Sequence, residues 1–157
     1  MEELLVTSSP AGFRLRRLQA EDYSKGYCQL LSVLTQVGEI PEPAFQATFQ
    51  RVNSQPDTYI ILVLEEAETG ALAASGTLLI EQKFVPNTGK VGHVEDIVVS
   101  TDFQRRGLGK KMIETLLEIA RAKGCYKVIL DCSEEVVTFY EKCGLVRKGV
   151  LMAHYFS

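Results

Sequence analysis

A glycine-rich turn between an apolar segment and an amphipathic helix constrains this chain more than any other feature. The turn, Gln104-Arg105-Arg106-Gly107-Leu108-Gly109, follows the apolar run 97–99 and opens a helix predicted over 107–123. Glycines let a backbone approach a ligand closely. The first amides of a helix lack intrahelical partners and lie at the positive end of its dipole. With two arginines at the same point, the pattern predicts a strand–turn–helix unit that binds a pyrophosphate.

Other phosphate-binding motifs fit the turn less well. A Walker A loop needs GxxxxGK[ST], and Gly109-Lys110-Lys111 lacks both the first glycine and the hydroxyl. A dinucleotide fingerprint needs GxGxxG after the first strand, and that pattern is absent. Taken alone, the turn is also compatible with a helix start that binds no ligand, because short glycine patterns are weak evidence.

Composition narrows the class of protein. A length of 157 residues predicts a single domain over 1–157. No apolar run reaches the ~20 residues that cross a bilayer, and a net charge of −3 argues against a broad nucleic-acid surface. The four cysteines show neither a CxxC pair nor metal-ligand spacing. They therefore predict reduced thiols, no metal site and a cytoplasmic protein.

Hydrophobic periodicity predicts the element order β-α-α-β-β-β-α-β-α-β. This order indicates a mixed α/β sheet with helices packed on it, rather than a regular doubly wound fold. Strands are predicted at 13–16, 57–65, 71–82, 92–99, 126–130 and 145–155, and helices at 20–36, 43–52, 107–123 and 134–143.

Two adjacent carboxylates, Glu95 and Asp96, interrupt the apolar strand 92–99. Strand alternation would point them to opposite faces, so they are not expected to act as a close pair. Burying an unpaired carboxylate is costly, which favours a functional role. A salt bridge or a turn-capping role is the alternative.

Two further residues are candidates for proton transfer. Asp131 follows the strand 126–130, at the end where α/β sheets place ligands. Its carboxylate would suit an ammonium group, although it or Ser133 could instead cap the next helix. Tyr140 would suit a general acid, although buried tyrosines more often serve the core.

Neighbouring reactive side chains receive no catalytic role. Cys132 and Cys143 flank this region, but no adjacent histidine supports them as nucleophiles. His93 stands at a strand position where a bond to the backbone is expected rather than base catalysis.

Several blocks of sequence together resemble the GNAT acetyltransferase superfamily. They are HVEDIVV (93–99), QRRGLG (104–109), CYKVILD (125–131) and FYEKCG (139–144). In that family the turn after the fourth strand holds the pyrophosphate of acetyl-CoA. The resemblance covers 13–152. Within the family, segments 34–38, 92–97, 124–127 and 139–144 are similar to the enzymes that acetylate glucosamine 6-phosphate.

The resemblance implies a GNAT fold, acetyl-CoA as co-substrate, no metal, and a homodimer in which the C-terminal strands are exchanged. The implied acetyl-CoA contacts are Ile97, Val98, Val99, Arg105, Arg106, Gly107, Leu108, Gly109, Lys110, Ser133 and Tyr140. The implied amino-sugar contacts are Thr35, Lys83, Glu95, Asp96, Tyr126, Lys127 and Asp131. Asp131 would take the amine proton directly or through water, and Tyr140 would protonate the CoA thiolate. An amide near 97–98 would bind the developing oxyanion.

The implied reaction is direct transfer of the acetyl group to the 2-amino group of glucosamine 6-phosphate, a step toward UDP-N-acetylglucosamine. Residues 153–157 depart from the resembling enzymes, because they contain no Arg or Lys to reach the sugar phosphate. His154 or a basic residue elsewhere is the expected substitute. Two alternatives remain open: a GNAT enzyme for another small amine or a protein N-terminus, and a CoA-binding regulator without activity.

Overall fold

A five-stranded mixed sheet forms the centre of the computed structural model, which describes residues 1–156. The strands lie in chain order: β1 (Phe13–Arg17), β2 (Tyr59–Glu66), β3 (Leu72–Gln82), β4 (Lys90–Val99) and β5 (Cys125–Ile129). Strands β1 to β4 are antiparallel neighbours, whereas β4 and β5 are parallel. A parallel pair needs a crossover, and the helix after the glycine-rich turn supplies it.

Helices cover both faces of the sheet. They are α1 (Glu2–Ser8), α2 (Tyr27–Leu31), α3 (Glu42–Asn53), α4 (Leu108–Ala122) and α5 (Val137–Lys142). On one face, α1 and α4 pack with Leu62 and Leu78 in the larger core. On the other face, α2 and α3 pack with Val63 and Val98 in a second core.

Helix α4 confirms the predicted amphipathic pattern. Its apolar stripe is fully or almost fully buried and consists of Leu108, Met112, Ile113, Leu116 and Ile119. Each such side chain contributes roughly 1.5–3 kcal/mol when buried. The stripe therefore fixes the helix, and with it the turn before it, against β3, β4 and β5.

Two predicted elements differ from those in the structure, and one helix was not predicted. The helix predicted at 20–36 divides into a 3-10 turn, Ala20–Tyr23, and α2, because Gly26 between them has a φ of 84° that a right-handed helix cannot contain. The strand predicted at 145–155 is wrong for this chain by itself, since residues 145–156 contain no helix or strand. Helix α1 was not predicted, and its Leu5 is buried in the larger core.

A bulge interrupts β4 at the two carboxylates. Thr77 of β3 pairs with Glu95 and Ser75 pairs with Val98, so two residues of β4 stand opposite Gly76. Asp96 has a φ of 51° at this point. The simple alternation expected for Glu95 and Asp96 does not apply here, and both side chains are exposed.

No helix within residues 1–156 is long and apolar enough to span a membrane.

Candidate active site

A cleft opens where β4 and β5 separate. Their pairing ends at His93 and Ile129. Strand β4 continues to Val99 and remains paired with β3. Over the rest of β4, no described strand occupies the side that faces away from β3. Backbone groups on that side can bind a ligand, since an unpaired amide needs another partner. The separation leaves the β4 segment 97–99, which was predicted to contact acetyl-CoA, without a described strand along one backbone edge.

The glycine-rich turn lies at the end of this cleft and presents the start of α4. Gly107 has a φ of 74° and precedes the helix without a side-chain cap. Arg105, Arg106 and Lys110 are exposed around it. The first amides of α4 and these cations fit a pyrophosphate. Leu108 is 3% exposed and belongs to the core, so only its backbone faces that ligand site.

Helix α5 packs against the glycine-rich turn at Gly109. A Cβ on Gly109 would lie 3.4 Å from Phe139 Cζ and 3.5 Å from Val99 Cγ2. Helix α5 thus packs closely against the first turn of α4, beside the end of β4. Ser133, the other predicted acetyl-CoA contact, precedes the 3-10 turn that leads into α5 and makes no side-chain cap bond there.

Carboxylates lie on the other side of the cleft. Glu95 and Asp96 extend from the β4 bulge, and Asp131 follows the end of β5. Burial raises the pKa of Glu95, and the negative charges of Asp131 and Asp96 raise it further. Within residues 1–156 none of the three forms an ion pair. The salt-bridge alternative for Glu95 and Asp96 therefore has no support, and the three groups suit a cationic amine.

Tyr140 of α5 is half-buried near Asp131. Its ring packs edge-on against Phe139, with centroids 5.0 Å apart. Burial raises its pKa first, and Cys132, Cys143 and Asp131 raise it further. The hydroxyl is therefore protonated at neutral pH and retains the proton that a general acid needs.

The residues predicted to bind the sugar and its phosphate are spread more widely. Lys83 Nζ lies 2.6 Å from Glu81 Oε1, and His93 Nε2 lies 2.8 Å from Glu81 Oε2. The backbone bond expected for His93 is thus replaced by a carboxylate. Lys127 Nζ lies 5.5 Å from the centroid of the Tyr126 ring and forms no ion pair with any described residue. Thr35 is exposed in the segment between α2 and α3.

Two features near the bulge escaped sequence reasoning. Tyr27 lies in the helix predicted at 20–36 and was assigned no role there, and its hydroxyl is 3.5 Å from Ser75 Oγ. A Cβ on Gly76 would lie 2.6 Å from Ile97 Cδ1 and 2.8 Å from Met112 Cγ. A glycine inside a strand often marks a bulge, so Gly76 gave the one available signal.

Comparison with known proteins agrees with this geometry. The model of the acetyltransferase (GNAT) family matches residues 14–145. Glucosamine 6-phosphate N-acetyltransferase of Arabidopsis thaliana is 44% identical over 92% of this chain and 97% of its own length. Glucosamine 6-phosphate N-acetyltransferase 1 of Dictyostelium discoideum is 42% identical over 92% of this chain and 91% of its own length.

Solved structures confirm the fold. The crystal structure of the Arabidopsis thaliana enzyme aligns with a TM-score of 0.89 at 44% identity, covering 92% of this chain and 99% of that one. A Trypanosoma brucei acetyltransferase aligns with a TM-score of 0.85 at 35% identity, with the same coverage of both chains. The expected GNAT fold, with its mixed sheet between helices, is confirmed, and the chain belongs to the acetyltransferase (GNAT) family.

Proposed function

We propose that this chain transfers the acetyl group of acetyl-CoA to the 2-amino group of glucosamine 6-phosphate. One observation carries the proposal: beyond its pairing with β5, β4 leads from the carboxylates of Glu95 and Asp96, with Asp131 near Glu95, to the uncapped, arginine-flanked start of α4. The start of α4 suits the pyrophosphate of CoA, and the carboxylates suit an amine. The relatives named above supply the identity of the amine.

Acetyl-CoA would bind along the open side of β4. Its pyrophosphate would accept hydrogen bonds from the amides of 108–110. The positive charges of Arg105 and Arg106 would attract it to the same place. The pantetheine arm would then run beside 97–99 toward the carboxylates, with Ser133 and Tyr140 on its other side. A β4 amide near Ile97 or Val98 would stabilise the oxyanion that forms on the thioester carbonyl.

Transfer would proceed by direct attack within a complex of both substrates. Glu95, Asp96 and Asp131 would draw in the ammonium, and Asp131 would accept its proton, directly or through water. The neutral nitrogen would form a bond to the acetyl carbon as the carbon–sulfur bond breaks. Tyr140 would give a proton to the departing thiolate, and the second proton that the nitrogen loses as the amide forms would pass through water to the Tyr140 oxygen. Holding the reactants in attack geometry can remove roughly 7–11 kcal/mol of the barrier.

Lys127 is the best-placed cation for the sugar phosphate. Lys83 is already held by Glu81, whereas Lys127 contacts only the face of Tyr126. Lys127 can therefore turn to a ligand without breaking an ion pair. His154 would join it from the C-terminal segment, where its ring packs against Phe156.

We further propose that the chain is a homodimer with exchanged C-terminal segments. Strand β5 is an edge strand, and Tyr126 and Ile129 on it are exposed. Segment 145–156 carries a run of exposed apolar side chains, namely Val146, Val150, Leu151, Met152, Tyr155 and Phe156. An apolar surface of this density marks an interaction site.

The four free cysteines suit a cytoplasmic location. The product of the proposed reaction would supply UDP-N-acetylglucosamine synthesis.

Release of free CoA thiol tests the proposed reaction. The purified protein is supplied with acetyl-CoA and either glucosamine 6-phosphate or unphosphorylated glucosamine. We expect saturable turnover with the phosphorylated sugar and a much lower kcat/KM without the phosphate. Equal values would indicate a different amine, and tight CoA binding without turnover on any amine would indicate a regulator.

A further inference from the structure

A buried charge network lies beneath the segment that leads into α2. Arg16 Nη1 and Nη2 donate to Asp22 Oδ2 and Oδ1 at 2.8 and 2.7 Å. Arg16 Nε donates to Glu65 Oε2 at 3.1 Å, and Lys25 Nζ donates to the same oxygen at 2.8 Å. Asp22 is fully buried. Segment 22–25 is therefore attached to Glu65 of β2 at both ends. Lys25 bonds to Glu65 directly, and Asp22 is linked to it through Arg16.

This network is an unusual choice for stability alone. Apolar residues of similar volume often replace buried ion pairs at no cost, because desolvation offsets much of the charge attraction. A backbone hydrogen bond also belongs to the network, because the amide of Gln19 donates to Asp22 Oδ2 at 2.8 Å. The bonds have fixed directions, so they determine where segment 19–25 lies. That segment leads directly into α2 through Gly26.

Helix α2 depends on such an attachment. It has five residues, far fewer than the ~12–15 at which an isolated helix becomes even marginal in water. Its position is set by what precedes it and by its packing on β3 and β4.

The residue that α2 presents to the sheet lies beside the candidate site. Tyr27 is 7% exposed, and its hydroxyl is 3.5 Å from Ser75 Oγ. Arg16, Val63, Ser75 and Val98 are paired in succession across β1 to β4, so they form one row on this face. Cross-strand partners share a face, and the next pair along it is Thr77 with Glu95. The network and a substrate-binding carboxylate thus lie on one surface, with α2 between them.

We propose that the Arg16–Asp22–Glu65 network is a positioning device for the amine acceptor: it holds α2, through Tyr27, against the β4 bulge that presents Glu95 and Asp96. None of its members touches substrate. The inference rests on the proposed function, since it assigns the acceptor side of the cleft to this face. It predicts a larger effect on the acceptor than on acetyl-CoA, because acetyl-CoA is also held by the start of α4 and by α5, which the network does not contact.

The substitution Asp22→Asn tests this role, because it keeps the shape of the side chain and removes the charge opposite Arg16. We expect KM for glucosamine 6-phosphate to rise roughly tenfold or more, since a displacement of about 1 Å can cost on the order of 100-fold. We expect KM for acetyl-CoA to stay within about twofold. Asp57→Asn is the matched control, because it removes a carboxylate from the exposed pair with Lys123. It should change neither KM.

Lys25→Met keeps the test decisive if Asp22→Asn does not fold. It removes only the half-exposed contact to Glu65 and should shift the same KM in the same direction, by less. Hydrogen exchange adds a readout that needs no substrate: amides of 24–31 should exchange faster in either variant, while those of 108–122 should not. An unchanged acceptor KM with unchanged exchange would overturn the proposal, as would an equal rise in both KM values. A wild-type protein inactive on glucosamine 6-phosphate would refute the proposed function, yet faster exchange at α2 would still support the attachment.

Discussion

The chemistry of the cleft depends on side chains whose charge states are set by their neighbours. Burial first, and then neighbouring groups that include Asp131, raise the pKa of Tyr140, so its hydroxyl holds the proton more tightly than a free tyrosine does. The pKa of Glu95 rises for the same two reasons, burial first and then Asp131 and Asp96. A cationic amine between Glu95 and Asp131 would relieve the repulsion between them. The unfavourable arrangement in the free protein is thus a source of affinity for the acceptor.

Tyr140→Phe should lower kcat and leave acetyl-CoA binding almost unchanged. The ring still packs against Phe139, and only the proton donor is lost. A thiol is a good leaving group, so we expect a loss near the lower end of the usual range for general acids, about 100-fold. Steady-state kinetics with a direct CoA-binding assay measures both quantities. Tyr59→Phe, in β2, is the control, and a collapse of CoA affinity in the Tyr140 variant would contradict the assigned role.

Glu95→Gln should change the acid limb of the pH profile for acceptor binding. In the wild type, the raised pKa means that Glu95 becomes neutral at a higher pH than an ordinary carboxyl as the solution is acidified. Acceptor affinity should therefore begin to fall at that higher pH. The variant should bind the acceptor more weakly at neutral pH and lose this early part of the fall. Profiles of 1/KM that coincide in shape would refute the role of Glu95.

Glu65 should determine part of the stability in acid. Hydrogen bonds from Lys25 and Arg16 lower its pKa from 4.5 to about 2. A lowered folded-state pKa gives stability that is present above the unfolded value and is lost as pH falls toward the folded one. The wild type should lose stability between pH 4.5 and about 2, and Glu65→Gln should lose less over that window. Urea unfolding at several pH values measures the difference, with Glu66→Gln as the control.

Among the elements, those specified by long periodic patterns were predictable and those specified by single contacts were not. The fifteen-residue α4 and the apolar strands β2 and β3 follow directly from hydrophobic spacing. The break at Gly26 and the bulge opposite Gly76 depend on one φ angle and one close contact, which periodicity does not encode. The resemblance supplies the proposed site residues as a set, and the structure adds the bulge at Glu95 and Asp96 that periodicity could not predict.

Gly76→Ala should weaken both the fold and acetyl-CoA binding. The new Cβ would meet Ile97 Cδ1 at 2.6 Å and Met112 Cγ at 2.8 Å, so the β4 bulge and α4 would have to move. Overpacking of this kind costs typically 1–3 kcal/mol. Thermal unfolding and CoA titration measure the two effects. Gln50→Ala is the control, because Gln50 is exposed on α3, away from the bulge and the C-terminal segment. Unchanged CoA affinity at full stability would mean that Ile97 does not border the site.

At the scale of the whole molecule, the C-terminal segment is the part that the single chain does not explain. Two well-packed cores account for both faces of the sheet, yet 145–156 leaves large apolar side chains in water. A strand in this segment would need a partner edge, and in the proposed dimer β5 would provide one. The segment follows directly from α5, so its placement also affects Tyr140 and the end of the cleft. Assembly and activity are therefore expected to be linked.

Val150→Asp tests that link. Val150 is 91% exposed in the single chain, so the substitution should cost the isolated fold nothing, but a charge there would oppose an apolar interface. We expect light scattering after gel filtration to show a shift from dimer to monomer, together with a fall in kcat/KM for glucosamine 6-phosphate. Val6→Asp is the control, because Val6 is 74% exposed on α1, outside the segment. A monomeric wild type, or a monomeric variant with full activity, would show that one chain completes the site and that the apolar segment serves another contact.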